Sequence, residues 1–154
     1  MPRIDVDLNP SQADWDEVNR GLTAFNAPFT GADNYQRLAI FIRDEQDQII
    51  GGLTGETYWD WLYVENLWLH ESIRGQDYGT QIMTLAEAEA RKRGCIHVHL
   101  DTLGFQALGF YQKLGYSLYG QIDNFINGYA RYYLKKELKE VTSKDNPIRK
   151  KTER

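Results

Sequence analysis

Residues 65–85 read ENLWLHESIRGQDYGTQIMTL, and this stretch decides the fold. It opens as an apolar strand through Leu67, Trp68 and Leu69 and turns through a short polar segment at 70–72. It then enters Arg74, Gly75, Gln76, Asp77, Tyr78, Gly79 and Thr80, beyond which Ile82, Met83, Leu85 and Ala86 repeat at helical spacing. Strand, glycine-bearing turn and helix in that order form an anion cradle. Glycine lets the backbone approach a ligand and lets successive N–H groups point the same way. The first N–H groups of the helix lack partners within it, and the helix dipole adds positive charge there, so a phosphate is the expected guest. Arg74 adds a full positive charge at the rim.

Upstream, residues 61–69 form the last strand of a three-stranded meander. Its other members are 35–43 (YQRLAIFIR) and 48–58 (QIIGGLTGETY), joined by a hairpin turn at 44–47. Gly51 and Gly52 imply a bulge or a close contact. Further back, residues 3–8 (RIDVDL) alternate and predict a first strand. Ser11, with Asp14 three residues on, predicts a helix start. Trp15, Val18, Leu22 and Phe25 carry that helix to Phe25, and Asn26, Ala27 and Pro28 end it.

Downstream, the helix after the loop runs to about Arg93 and stops at Gly94. Residues 95–100 (CIHVHL) read as a buried strand, so strand, helix and strand form a βαβ unit with a parallel pair. A short helix follows at 105–114, stopped by Gly115. Two final strands at 116–122 and 130–136 are joined around Asn127 and Gly128. Residues 137–154 are charged, almost without large apolar groups, and predict a frayed tail.

The chain of 154 residues is long enough for one domain with a genuine core, taken as residues 1–138 with the charged tail at 139–154. It is 42% hydrophobic and 26% charged, an ordinary globular balance. A net charge of −4 gives no nucleic-acid footprint and fits a cationic or neutral partner. The single cysteine, Cys95, excludes an intrachain disulfide and fits a reducing compartment. No segment predicts a signal peptide or a membrane span, so the expected setting is cytoplasmic, away from membranes.

At residues 74–79 and again at 109–116 the sequence resembles the GNAT superfamily of N-acetyltransferases. The family's pyrophosphate loop, Arg/Gln-x-x-Gly-x-Gly/Ala, is matched by Arg74 and Gly79, with Gly75 as an extra glycine. Asp77 replaces the middle glycine. The family's second signature appears as Phe110, Tyr111, Gln112, Lys113, Leu114, Gly115 and Tyr116. The resemblance covers residues 3–138. It implies an α+β fold of three layers: a mixed, mostly antiparallel sheet of six to seven strands, with a central parallel pair and helices on both faces. It implies acetyl-CoA as co-substrate, no metal, and a primary amine on a small molecule or peptide as acceptor. Two departures stand out. Asp77 must turn its side chain from the pyrophosphate and use only its N–H, and Asp visits the left-handed region more readily than most residues. Many relatives carry an Asn before the tyrosine helix; Gly104 sits near that place, which removes the polar contact.

Acetyl transfer requires coenzyme held, carbonyl polarised, ammonium deprotonated and thiolate protonated. The resemblance assigns holding to Arg74, Gly75, Gln76, Asp77, Tyr78, Gly79 and Thr80. It assigns contact with the pantetheine arm to the main chain of Leu67, Trp68 and Leu69. Along the strand Tyr63, Glu65, Leu67 and Leu69 share a parity and therefore a face. Glu65 is the candidate base, since a carboxylate in a partly buried cleft can act through water. The alternative is an ordinary Glu that holds substrate or pairs with an Arg. Tyr111 is the candidate acid, a phenol near pKa 10 facing a thiolate of about 8.5. The alternative is a Tyr that packs its helix and hydrogen-bonds the sulfur. His97 and His99 alternate without a patterned third ligand, so they and His70 read as structural or surface residues. Trp59, Trp61, Tyr63, Tyr119, Phe125 and Tyr129 flank the acceptor cleft, either receiving an amine by cation–π contact or packing a core and a homodimer. A second function remains open: a module on the same fold that binds acyl-CoA or a protein without chemistry, which Asp77 favours.

Overall fold

The structure is a computed structural model and describes residues 1–139. The chain divides into two compact units, Met1–Asn34 and Tyr35–Arg154.

The first unit is one helix, α1 (Gln12–Thr30). Ser11 caps it, its Oγ accepting from the Asp14 N–H at 3.1 Å. The expected strand at 3–8 does not form. Alternation alone makes no strand without a neighbour to share its hydrogen bonds, and the six strands among the described residues all come from the second unit. The helix also outruns its expected end. Pro28 lies within its last turn, where one missing N–H removes one bond. The Thr30 hydroxyl donates to the Asn26 carbonyl, and Gly31, at φ +73, donates its N–H to the Ala27 carbonyl at 2.9 Å.

The second unit holds β1 (Gln36–Arg43), β2 (Ile49–Tyr58), β3 (Trp61–Leu69), α2 (Tyr78–Lys92), β4 (His97–Leu103), α3 (Leu108–Lys113), β5 (Ser117–Ile126) and β6 (Tyr129–Glu137). The sheet runs β1-β2-β3-β4-β6-β5; only β3 and β4 pair in parallel. The mixed sheet with its central parallel pair is the α+β arrangement expected. The tail begins later than its composition implied: β6 runs to Glu137, and Leu138 is buried with its N–H on the Ile96 carbonyl at 2.8 Å. The expectation for residues 140–154 falls outside the described residues.

The core explains why this order folds. Helix α2 buries Gly79, Ile82, Met83, Ala86, Glu87 and Ala90, one stripe at three- and four-residue spacing. Leu53, Leu62, Val98, Leu100 and Leu134 from four strands join the same cluster. Burying each such side chain contributes about 1.5–3 kcal/mol. Gly94 at φ +84 stops the helix, and the buried Cys95 leads into β4.

Two bulges interrupt the meander. Ile42 faces Gly51 while Arg43 faces Ile49, so Ile50 is the extra residue beside the predicted glycines. The second was not foreseen. Thr54 faces Asn66 while Gly55 faces Val64, which leaves Glu65 unopposed. A Cβ on Gly55 would stand 2.2 Å from the Tyr63 carbonyl oxygen, so only glycine admits this approach.

Candidate active site

The bulge changes which residues share a face. Up to Val64 the even-numbered residues of β3 are buried; beyond it Leu67 and Leu69 are half-buried and Trp68 is exposed. The expectation that Tyr63, Glu65, Leu67 and Leu69 align is therefore corrected. An extra residue at Glu65 shifts the two-residue period by one.

The parallel ladder ends at the same place. Trp61 to Val64 pair with His97 to Leu100, and no further pair follows, although β3 continues to Leu69 and β4 to Leu103. The strands open there into a cavity of about 320 Å³, lined among others by Glu65, Leu67, Leu69, Arg74, Gly79, Asp101 and Tyr111.

The loop closes one end of it. A 3-10 turn at Glu71–Ile73 is capped by the His70 Nδ1, which accepts from the Ser72 N–H at 3.1 Å. Gly75 takes φ +72, and Asp77 takes φ +68 and ψ 10, the left-handed conformation its sequence position demanded. Asp77 is exposed and its side chain makes no capping bond. Arg74 folds back, its Nε donating to the Leu69 carbonyl at 3.0 Å, and Gln76 donates to the Ser72 carbonyl at 3.1 Å. Tyr78 and Thr80 lie in the first turn of α2. Buried Gly79 sets α2 against α3: a Cβ there would stand 3.1 Å from the Phe110 ring.

Of the expected side chains, Glu65, Leu67, Leu69, Arg74, Gly79 and Tyr111 meet in the cavity. Trp68, Gly75, Gln76, Asp77, Tyr78 and Thr80 do not line it. Glu65 is exposed rather than partly buried. Tyr111 is buried; desolvation, then the Asp101 charge, push its phenol up to about 12. Tyr116 is pushed higher still by burial and the Glu87 carboxylate. Glu87 itself pairs with Lys136 at 2.6 Å.

Two residues of the site were missed. Asp101 lies just past the end expected for its strand, where His97, His99 and Asp101 continue one alternation. Its Oδ1 accepts from Arg131, Nη2 at 2.8 Å and Nε at 3.0 Å, and its Oδ2 accepts from the Tyr63 hydroxyl at 3.3 Å. Gln106 is a polar residue two positions beyond Gly104 and lines the cavity. Its Oε1 accepts from the Leu103 N–H at 2.7 Å and from the buried Thr102 hydroxyl at 3.1 Å, fixing the turn before α3. A polar residue five before the tyrosine was the available signal.

The histidines keep structural roles. His97 stacks on Trp61 at 4.4 Å and faces Glu137. His99 stacks on Tyr63 at 4.8 Å and meets the Tyr58 hydroxyl at 2.6 Å, and burial lowers its pKa. Among the described residues, no three His, Cys, Asp or Glu stand together as a metal site. Likewise, no described helix is long and apolar enough to cross a membrane.

A parallel pair that opens beside a glycine-turn helix, with a buried tyrosine across the gap, defines an acyl-coenzyme A transferase cleft. The model of the Acetyltransferase (GNAT) family matches residues 8–116, and the chain belongs to that family. It is 36% identical over 115 residues to the acetyltransferase Atu2258 of Agrobacterium fabrum, covering 75% of this chain and 84% of that protein. It is 37% identical over 125 residues to the blasticidin-S acetyltransferase of Streptomyces morookaense, covering 80% and 92%. A crystal structure of an acetyltransferase from Agrobacterium tumefaciens superposes with a TM-score of 0.81 at 32% identity, covering 90% of this chain and all of that one. The protein is an acetyl-CoA-dependent acetyltransferase.

Proposed function

We propose that this protein moves the acetyl group of acetyl-CoA directly to a primary amine on a small molecule. The carrying observation is that Glu65, Arg74 and Tyr111 line one cavity at the point where the parallel ladder stops. Arg74 and the N–H groups of Gly75, Gln76, Asp77, Tyr78, Gly79 and Thr80 hold the pyrophosphate. The main chain of Leu67, Trp68 and Leu69, which pairs with no residue of β4, holds the pantetheine arm and polarises the carbonyl, with the Leu69 carbonyl already taken by Arg74. Glu65, set apart from its neighbours by the bulge, takes the ammonium proton through water. The freed amine attacks the carbonyl carbon and the C–N bond forms; the C–S bond breaks, the sulfur leaves with its electron pair, and the nitrogen gives up its second proton to solvent.

Burial favours the second of the two readings of Tyr111, in which it only hydrogen-bonds the sulfur. Full transfer of a proton from a phenol at about 12 to a thiol near 8.5 runs uphill by about 5 kcal/mol. Tyr111 therefore acts as a hydrogen-bond donor to the sulfur, whose proton comes from solvent. Against the non-catalytic alternative, Asp77 takes the left-handed conformation expected of it, and its exposed side chain makes no capping bond. The buried Cys95, whose thiol burial pushes up, fits the reducing interior of a cell.

Isothermal titration with acetyl-CoA tests the reading. Micromolar binding is expected, weakened at least about tenfold in Arg74→Ala, whose lost contact is a charge-assisted one. Failure of the intact protein to bind would end the acetyltransfer mechanism assigned to this cavity.

A further inference from the structure

We propose that Asp101 receives a second positive centre of the acceptor, so that the preferred substrate is a small amine carrying two cationic groups. The inference rests on the acetyl-transfer reading above and narrows its substrate class.

Position comes first. Glu65 and Asp101 are the first residues of β3 and β4 beyond the last parallel pair, Val64 with Leu100. They therefore stand on opposite arms of the opening, and both line its cavity. The Tyr63 phenol feels both: burial, then Asp101 and further down Glu65, push its pKa up, against the opposing charge of Arg131.

Fixation comes second. Two guanidinium N–H groups of Arg131 occupy Asp101 Oδ1, and the Tyr63 hydroxyl donates to Oδ2. Arg131 is itself held over the rings of Phe125 and Tyr133, at 5.0 and 5.4 Å. A carboxylate has about four lone-pair sites, so Oδ2 keeps acceptor capacity beyond its Tyr63 bond. The side chain is thus pre-organised, and a cation meeting it costs little further ordering. Glu65, by contrast, is exposed and lies at the bulge.

Charge comes third. The ionisable cavity residues are Glu65, Arg74, Asp101 and Tyr111; Arg131 does not line it. Arg74 is tied to the Leu69 carbonyl at the loop end. The end away from the loop therefore carries two carboxylates on separate arms, of which Asp101 is already paired with Arg131 outside the cavity lining. One positive centre loses its proton to Glu65 and is acetylated, while the other stays charged on Asp101.

The test compares 1,4-diaminobutane with butylamine as acceptors, following release of free coenzyme A. The wild-type protein is expected to favour the diamine at least about tenfold in kcat/KM, the scale of one charge-assisted hydrogen bond. Asp101→Asn is expected to lose at least about ten times more with the diamine than with the monoamine. Asp101→Glu, which keeps the charge, retains a preference for the diamine and guards against a merely misfolded variant. Acetyl-CoA titration of each variant reports on the coenzyme end. An equal rate with both amines in the wild type, or an unchanged ratio in Asp101→Asn, overturns the proposal. Coenzyme binding with neither amine accepted also overturns it, and leaves the acetyltransferase reading standing. Failure to bind coenzyme overturns both.

Discussion

Strands β3 and β4 run side by side, yet their two halves do opposite work. In the paired half Leu62, Val64, Val98 and Leu100 are almost wholly buried, and Trp61 and Tyr63 stack on His97 and His99. In the unpaired half the residues become Glu65 and Asp101 on either side of a cavity. The paired half supplies cohesion that the unpaired half lacks. It therefore fixes the geometry of two arms that would otherwise close by hydrogen bonding to each other. The boundary is sharp because the bulge at Glu65 and the end of the ladder coincide.

The variant expected to do most damage abolishes the difference. In Gly55→Val the new side chain collides with the Tyr63 carbonyl, so the bulge cannot form as it stands. A loss of about 3 kcal/mol in urea unfolding is expected, with turnover reduced more than about 100-fold in the folded fraction. Wild-type turnover in this variant would show that the bulge does not place Glu65.

A pair of variants then separates the halves. Leu100→Ala should cost about 2–5 kcal/mol of stability while acetyl-CoA affinity at low temperature holds. Glu65→Gln should reverse that pattern, with stability within about 0.5 kcal/mol and turnover down about 100-fold at unchanged coenzyme affinity. If both changed stability alone, the division would be wrong.

The smallest effect sharpens the role of Tyr111. The native state holds the phenol proton more tightly than the unfolded chain does, up to about 12 against 10. The resulting stability, about 3 kcal/mol, is complete below pH 10 and is lost as pH rises through about 12. Tyr111→Phe should flatten that limb in urea midpoints compared at pH 9 and pH 11. Its turnover should fall about tenfold, less than a true proton donor would lose. A steeper alkaline limb in the variant would contradict the assignment.

Much of the frame around the opening was legible in the sequence. The apolar run of β3, the loop and the α2 stripe carry local periodicities that one strand or helix displays by itself. The opening itself was less so. The role of Gly55 depends on a carbonyl in the next strand, and Gly51 with Gly52 offered a louder signal nearby. Asp101 was invisible because its partners, Arg131 and Tyr63, are remote in sequence and adjacent only once β6 lies beside β4. Residues 3–8 erred the other way: they have a strand's alternation and no strand beside them. The left-handed backbone of Asp77 was read correctly because that constraint is a single residue's φ.

The bulge at Glu65 also constrains how this protein can change. A substitution alters the chemistry carried at that position but leaves its place in the strand fixed. Deleting one residue there would restore an unbroken two-residue period and turn Leu67 and Leu69 toward the opposite face. Shifting the bulge by one step needs an insertion and a deletion together. The family of sequences reachable by single substitutions therefore keeps its reactive position at one address and varies only the group that stands there.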